Sequence, residues 1–439
     1  MTGILLATGY TCLLLALIRQ MRFFSTVPGL PPDRIGSIFI LKILAGTALW
    51  WIYTYLYPDR AVADVFKYFD DSAIMFSALA ERPKDYVQML FGIRNDTPYF
   101  SEMYYMKMNN WFRMYESNVY NDAHTVIRFN ALVRLFSFGE FHVHTVVSAF
   151  LSLSGMVGIH RTFADRLPGR ERLLAIVIFL LPSLLLWASG VIKESLLFFG
   201  LGVLLYQVRS FKQRISVGRI ILLLASVILL FYLKVYVLLC LLPALMLYLL
   251  SRDRRPQWVA FWAVMIYGAG ILLAMNFQKL APGFDILWLL AQKQKDFIGL
   301  AQATASGSFV MPPLLEPRIE SFILNIPYAL YITFFGPMIH FSGVLGLLSA
   351  IENALIIAMV VLLFLYSRPW RSLDRSLIIG LVAYVVLLAL IIGWTTPVMG
   401  AIVRYRTPLL PFLLIIGLLM FDHQRFIARW PGMKRFISA

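Results

Sequence analysis

Cysteine is almost absent from this 439-residue chain, which has two, and only 14% of its residues are charged. The two thiols, Cys12 and Cys240, each lie in an apolar run. They leave no disulfide framework on which to build a fold and read as small packing residues. A soluble domain carries about 25% charged residues. The shortage here, with 60% hydrophobic residues and a mean hydropathy of +0.76, makes the bilayer the natural solvent. Alternation of apolar and polar residues is missing too, which excludes a β-barrel. Because lipid offers no partner to an open strand, the long apolar runs must be helices. Acid is the scarcer charge, with 23 Asp and Glu against 39 Lys and Arg. In a soluble protein the formal +16 would point to nucleic acid. Here the basic residues fall in short loops between apolar runs, the signature of positive-inside topology, and no nucleic-acid partner is expected. Any attraction to anionic membrane lipids is secondary.

Six basic clusters fix that topology when placed together in the cytoplasm. They are Arg19/Arg22/Arg34, Arg161/Arg166/Arg170/Arg172, Arg209/Lys212/Arg214/Arg219, Arg252/Arg254/Arg255, Arg368/Arg371/Arg375 and Arg425/Arg429/Lys434/Arg435. The prediction is an all-α polytopic membrane protein of about eleven transmembrane helices. The spans fall near 2–18, 36–57, 143–160, 173–189, 193–208, 217–233, 236–251, 258–276, 345–366, 376–393 and 406–421, with the amino terminus outside and the carboxy terminus inside. The first run lacks a basic flank and a small-x-small cleavage site, so it reads as a retained helix. Residues 322–337 are apolar but hold Pro327 and Gly336-Pro337, which reads as a re-entrant or interfacial segment. Two long loops, 58–142 and 277–320, fall on the outer face, where long loops carry function. The first includes MYYMKMNNWFRMY from Met103, a density of aromatics and Met that suits amphipathic helices at the headgroup level. The second predicts a helix around 285–302. The organisation is then an additional helix and cytoplasmic loop at 1–35, a module with the large outer loop at 36–277, and an outer loop, re-entrant segment and final helices at 278–439. A seam is expected near Phe277.

The outer loop opens with DVFKYFDDS. On a helix Asp64, Tyr68 and Asp71 share a face at i, i+4 and i+7, while Asp70 points about 100° away from Asp71. Such a carboxylate can act as a general base or hold a divalent cation; equally, it can be a solvated acidic helix start favoured by the helix dipole. In PSLLLWASGVIKES, Ser189-Gly190 reads as a tight hairpin at the outer surface, with Lys193 and Glu194 in the first turn of the next helix. There an ammonium and free N–H groups can hold an anion, or Lys193 can snorkel and pair with Glu194. Lys234, in FYLKVYV, repeats the pattern between two spans, against an interfacial anchoring role. GAIVRYRTPLLP sets Arg404, Tyr405 and Arg406 at the outer mouth of the last span, and Arg suits bidentate phosphate recognition. Four cations from three connections are expected to converge on one polyanion. Glu140, His142 and His144 form a weak metal pattern, with interfacial hydrogen bonding favoured. His340, beside the re-entrant segment, and Glu352, an intramembrane acid, complete the candidates; helix packing through Asn353 competes for the latter.

The layout resembles the GT-C superfamily of membrane glycosyltransferases. The likeness rests on the span at 36–57, the acid-bearing outer loop, IRFNALVRLFSFGEFHVHTVVSAFLSLSGMVGIHRTF, the paired helices with PSLLLWASGVIKES, and VRYRTPLLPFLL. The resemblance implies a GT-C fold and a polyprenyl-phosphate or polyprenyl-diphosphate sugar donor. It implies an acid early in the first outer loop as catalytic base, from among Asp64, Asp70 and Asp71. Many members carry paired acids directly after the first helix, whereas Asp70-Asp71 lies about a dozen residues beyond it. Lys193, Lys234, Arg404 and Arg406 correspond in location to lipid-phosphate contacts. The acceptor would be a glycan, lipid or protein in envelope assembly at a bacterial inner membrane. The rivals are a repeat-unit polymerase, a lipid-linked sugar transporter or flippase, and a structural subunit.

Overall fold

The computed structural model describes residues 2–57, 59–60, 63–112, 120–210, 216–251 and 255–433. Of the basic clusters, Lys212, Arg214, Arg252, Arg254, Lys434 and Arg435 lie outside the described residues, as do the last three residues of the aromatic motif. The described residues form helices and no strands. Seven helices are long and apolar enough to cross a membrane, or eight when one bent pair is taken as a span, the make-up of an all-α multi-pass membrane protein. This count is lower than eleven for local reasons. The 173–189 run breaks at Leu180-Leu181 ahead of Pro182, and the eighteen-residue helix from Lys193 includes Glu194 and Arg209 as well. The 217–251 run is continuous apart from a non-helical Lys234 (φ −153°, ψ 79°).

Contacts divide the chain into two compact units, residues 1–114 with 119–235 and residues 236–439 with 115–118. The first contains α1 (Thr2–Gln20), α2 (Arg22–Ser25), α3 (Pro32–Tyr55), α4 (Asp64–Glu81), α5 (Pro83–Phe91), α6 (Pro98–Met103), α7 (Ala123–Ser137), α8 (Phe141–Ala164), α9 (Glu171–Phe179), α10 (Pro182–Trp187), α11 (Lys193–Ser210) and the part of α12 (Val217–Ser251) up to Lys234. Proline opens α3, α5, α6 and α10, where its missing N–H has no partner to lose. Helices α8 and α11 touch backbone to backbone. A Cβ on Gly202 would stand 1.8 Å from the Gly155 carbonyl oxygen, and one on Gly158 2.6 Å from that of Gly202, so small residues set the approach.

Much of the aromatic and Met stretch of the outer loop turns inward. Tyr104, Tyr105, Met108 and Trp111 are buried with Tyr68, Met75, Tyr86 and Phe100 in a core joining α4 to α7, and of the described hydrophobic residues in this stretch Met106 and Phe112 stay well exposed. Four short helices need a core of their own, and aromatics bury the most area per residue.

The second unit holds the rest of α12, α13 (Pro256–Leu280), α14 (Ile286–Ala303), α15 (Ile319–Leu324), α16 (Ile326–Phe334), α17 (Gly336–Ile339), α18 (Gly343–Leu365), α19 (Arg375–Thr395), α20 (Met399–Tyr405), α21 (Leu410–Met420) and α22 (His423–Arg429). The helix predicted around 285–302 is α14, and the Asp285 carboxylate caps it by accepting from the N–H groups of Leu287 and Trp288. The 322–337 segment is broken at Asn325 and Phe335. Its α16 lies close on α19, where a Cβ on Gly393 would meet the Ala329 carbonyl at 2.2 Å. Gln294, buried, donates to the carbonyls of Pro313 and Trp394 and accepts from Leu315 N–H.

Candidate functional site

Helix α4 carries the predicted face. Tyr68 and Asp71 are both buried, and Asp64 opens the helix. The two adjacent acids diverge as their 100° offset requires. Asp70 takes a bidentate pair from Arg60 (2.7 and 2.8 Å) near the surface. Asp71 instead accepts the main-chain N–H groups of Asn109 and Asn110, one on each oxygen at 2.8 Å. Burial pushes its carboxyl up to about 6, with those two N–H donors pulling the other way. With a donor on each oxygen, Asp71 clamps the 109–111 turn.

That turn positions the next acid. Asn121 donates to the carbonyls of Asn110 and Trp111 (2.8 Å each). His124 bonds the Trp111 carbonyl, and its ring stacks on Trp111, which stacks on Tyr105. Asp122 follows Asn121 directly and precedes α7, but its side chain makes no cap. It reaches Lys193, with Nζ 2.7 Å from Oδ1, at side-chain exposures of 7% for Lys193 and 27% for Asp122. The Lys193 ammonium also lies 5.4 Å from the centre of the Tyr68 ring. Next in sequence, Glu194 pairs with Lys234 at 2.9 Å, both sealed from solvent at 0% and 4%. Lys193 and Glu194, for which mutual pairing was the alternative to an anion site, each meet a partner far along the chain, 71 and 40 positions away.

The turn before Lys193 is not at an exposed surface. Residues Ala188, Ser189, Val191 and Ile192 are buried. A Cβ on Gly46 would stand 2.5 Å from the Ser189 carbonyl oxygen, and one on Gly190 2.6 Å from Leu49. Lys42, wholly buried in α3, donates to the Ala188 carbonyl at 2.9 Å. Gly46 is nine residues short of the end of α3, about 14 Å along the helix. The start of α4 covers the turn, with Ala63, Val65 and Phe66 packed on Leu49 and Ile192. The hairpin is recessed because α3, with glycine at 46, outlasts it.

His144, a weak metal candidate, is buried between the Asn130 carbonyl oxygen at Nδ1 (2.7 Å) and Ser137 Oγ at Nε2 (2.8 Å), with Phe69 edge-on to its ring. His142 packs edge-on against Trp50. Arg134 ties α7 to α4 through Ser72 Oγ and the Phe69 carbonyl. Among the described residues no three His, Cys, Asp or Glu side chains gather to hold a metal ion.

In the second unit the arginines are buried, not at a mouth. Arg404 is 9% and Arg406 1% exposed, because the chain bends 55° between α20 and α21 and draws both inward. Arg406 Nη1 donates to Asn353 Oδ1 and to the Thr333 carbonyl, and Asn353 donates in turn to the Phe334 carbonyl. Among the described residues its Nε and Nη2 have no hydrogen-bond partner. Glu352, nearly buried on α18, acts on Arg406 through space. Tyr405 is half-buried, and His340 meets the Tyr331 hydroxyl at 3.2 Å. Of the four expected cations, Lys193 and Lys234 belong to one unit and Arg404 and Arg406 to the other. Sequence reasoning missed Asp122, which reads as an ordinary helix cap, and the Asn109–Asn110–Asn121 support.

Compared with protein-family models, with curated proteins and with solved structures, the chain matches none.

Proposed function

We propose that the chain is a membrane glycosyltransferase of GT-C architecture, moving a sugar from a polyprenyl-phosphate or polyprenyl-diphosphate donor to a glycan, lipid or protein acceptor. It would act at the extracytoplasmic face of a bacterial inner membrane, in envelope polysaccharide assembly. One observation carries the reading. Two ion pairs adjoin on α11, Lys193 with Asp122 just before α7 and Glu194 with Lys234 of α12, and the Lys193 ammonium lies over the Tyr68 ring of α4. A phosphate leaving group needs a cation, and an acceptor hydroxyl needs a base. The step is an inverting displacement. A carboxylate takes the hydroxyl proton as the oxygen bonds to the anomeric carbon. The bond from that carbon to the phosphate oxygen breaks, and its electron pair leaves with the lipid phosphate beside Lys193. Eleven spans follow when the α9–α10 pair and α11 are each counted, α12 is divided at Lys234, and α20–α21 is taken as one.

The test uses the purified full chain in lipid nanodiscs with labelled monosaccharide-phosphate lipids and, separately, diphosphate-linked repeat units. Transfer of single sugars is the expected outcome. Chain growth only from repeat units would make the protein a polymerase. Inward or outward movement of intact donor without transfer would make it a transporter.

A further inference from the structure

We infer that the end of α18 and one face of α22 form a binding site for an anionic glycerophospholipid, its phosphodiester between Arg425 and Arg429 and its acyl chains along α18. The site lies in the second unit, shares no residue with the ion pairs of the first, and stands whether or not the chain transfers sugar.

The sequence of α22 sets the charge. Arg425, Ala428 and Arg429 fall at i, i+3 and i+4, so the two arginines share a face with only a methyl group beside them. Together with Leu365 and Tyr366 they line an open cleft of about 590 Å³, a size typical of ligand sites, which run from roughly 300 to 1,000 Å³. Both arginines are exposed. Among the described residues neither guanidinium pairs with a carboxylate. The acid nearest in sequence, Asp422, accepts the Arg425 main-chain N–H as the cap of α22. Like charges one turn apart repel, and a phosphodiester between them offsets that repulsion with charge-assisted hydrogen bonds. The lining offers no acid to the amine of a zwitterionic headgroup, so a headgroup of net negative charge fits.

The wall of the cleft is held in place. Tyr366 accepts the Trp430 Nε1–H on its hydroxyl at 3.2 Å, takes the Asp422 N–H on its carbonyl at 2.7 Å and meets Phe426 edge-on at 5.0 Å. The Arg425 guanidinium carbon lies 5.9 Å from the centre of the same ring. Helix α22 is thus fastened to the end of α18 at both its own ends, and the cleft between them is preformed, which lowers the cost of binding.

The occupant follows from what the cleft opens onto. Helix α18 is long and apolar enough to cross a membrane, and Val344, Leu348, Ile351, Leu355 and Leu362 recur along it as one exposed face. Leu365, 67% exposed, carries that apolar surface into the cleft. Trp430, exposed and bonded to Tyr366, has the amphipathic ring of an interfacial anchor. A free phosphate would use the arginines alone. A phospholipid uses the arginines and the apolar face of α18 at once.

The experiment measures binding of phosphatidylglycerol and of phosphatidylcholine to the purified full chain in detergent by native mass spectrometry. The parent is expected to bind phosphatidylglycerol in preference. Arg425→Gln combined with Arg429→Gln should weaken that binding about tenfold or more. Ala428→Trp, which fills the cleft without changing its charge, should weaken it as well. Arg22→Gln combined with Arg34→Gln removes the same charge from another basic cluster and should match the parent. Equal binding of the two lipids, parent-like binding in the folded Arg425 and Arg429 double variant, or an equal loss in the Arg22 and Arg34 control overturns the inference. So does displacement of the lipid by inorganic phosphate or by polyglutamate, which would mark a site for free anions or for acidic chains. Photolabelling of the parent covers the case of poorly folded variants. Phosphatidylglycerol with a diazirine close to its glycerol should crosslink within residues 362–366 or 425–430, and crosslinks confined to other segments overturn the inference.

Discussion

The two cation clusters answer their charge in opposite ways. In the first unit Lys193 meets the Asp122 carboxylate and Lys234 that of Glu194, while the buried Lys42 donates to the Ala188 carbonyl. In the second, Arg406 is as deeply buried, yet its hydrogen bonds go to the neutral Asn353 amide and the Thr333 carbonyl, with Glu352 acting through space. A guanidinium spreads its charge over a planar fork and is weakly hydrated, so uncharged acceptors can hold it. An ammonium is a compact, strongly hydrated point charge, and Lys193 and Lys234 each meet an anion in exchange for water.

The largest test of this contrast removes one half of the sealed lysine pair. Glu194→Ala leaves the Lys234 charge uncompensated and should destabilise the protein by about 3–5 kcal/mol. The double change Glu194→Met with Lys234→Met should recover most of that loss. Thermal unfolding in detergent reads both, and a double variant as unstable as the single would show that the pair supplies more than charge balance.

Next in size is Asp71. Asp71→Asn sets an amide NH₂ against one of two main-chain N–H groups and should cost about 1–3 kcal/mol. The parent should also respond to pH with a definite sign. Burial raises the folded carboxyl from 3.8 to about 6, so between those values the folded state keeps a proton that the unfolded chain has released. Stability must then fall as pH rises through that window and level off above it. Asp71→Asn should remove this slope, and a slope that persists would assign it to another group.

The smallest effect belongs to the arginine side. Arg406→Lys keeps the charge but cannot reproduce the geometry at Asn353 and Thr333, and a loss of about 1–2 kcal/mol is expected. Introducing a carboxylate by Asn353→Asp should make lysine better tolerated at position 406. Failure of that rescue in thermal unfolding would undo the contrast.

Much of the first cluster was legible because helical periodicity is local. The register of Asp64, Tyr68 and Asp71, the divergence of Asp70, the start of α11 at Lys193 and the break at Lys234 all follow from a few neighbouring residues. The pairing did not follow, because nothing within a helical turn reveals that Lys193 meets a residue 71 positions earlier. Asp122 was hidden by its own ambiguity, since an aspartate before a helix is what a cap looks like. The aromatic stretch is ambiguous in the same way. Amphipathic composition specifies burial of one face, not whether lipid or four short helices do the burying. Arg404 and Arg406 read as a mouth because the 55° bend that draws them inward leaves only Pro408 and Pro411 as its trace in the sequence.

The glycine contact between α8 and α11 acts as a fulcrum for the recess. Gly202 lies nine residues from Lys193, about 14 Å along α11, and its lack of a side chain lets the helix rest on the α8 backbone. A pivot of ten degrees there would swing the Lys193 end by about 2 Å, enough to part a 2.7 Å ion pair. The tolerance of the polar recess is thus set by atoms that are not in it, and a single methyl group at position 202 would retune the chemistry from a distance without touching a charged residue.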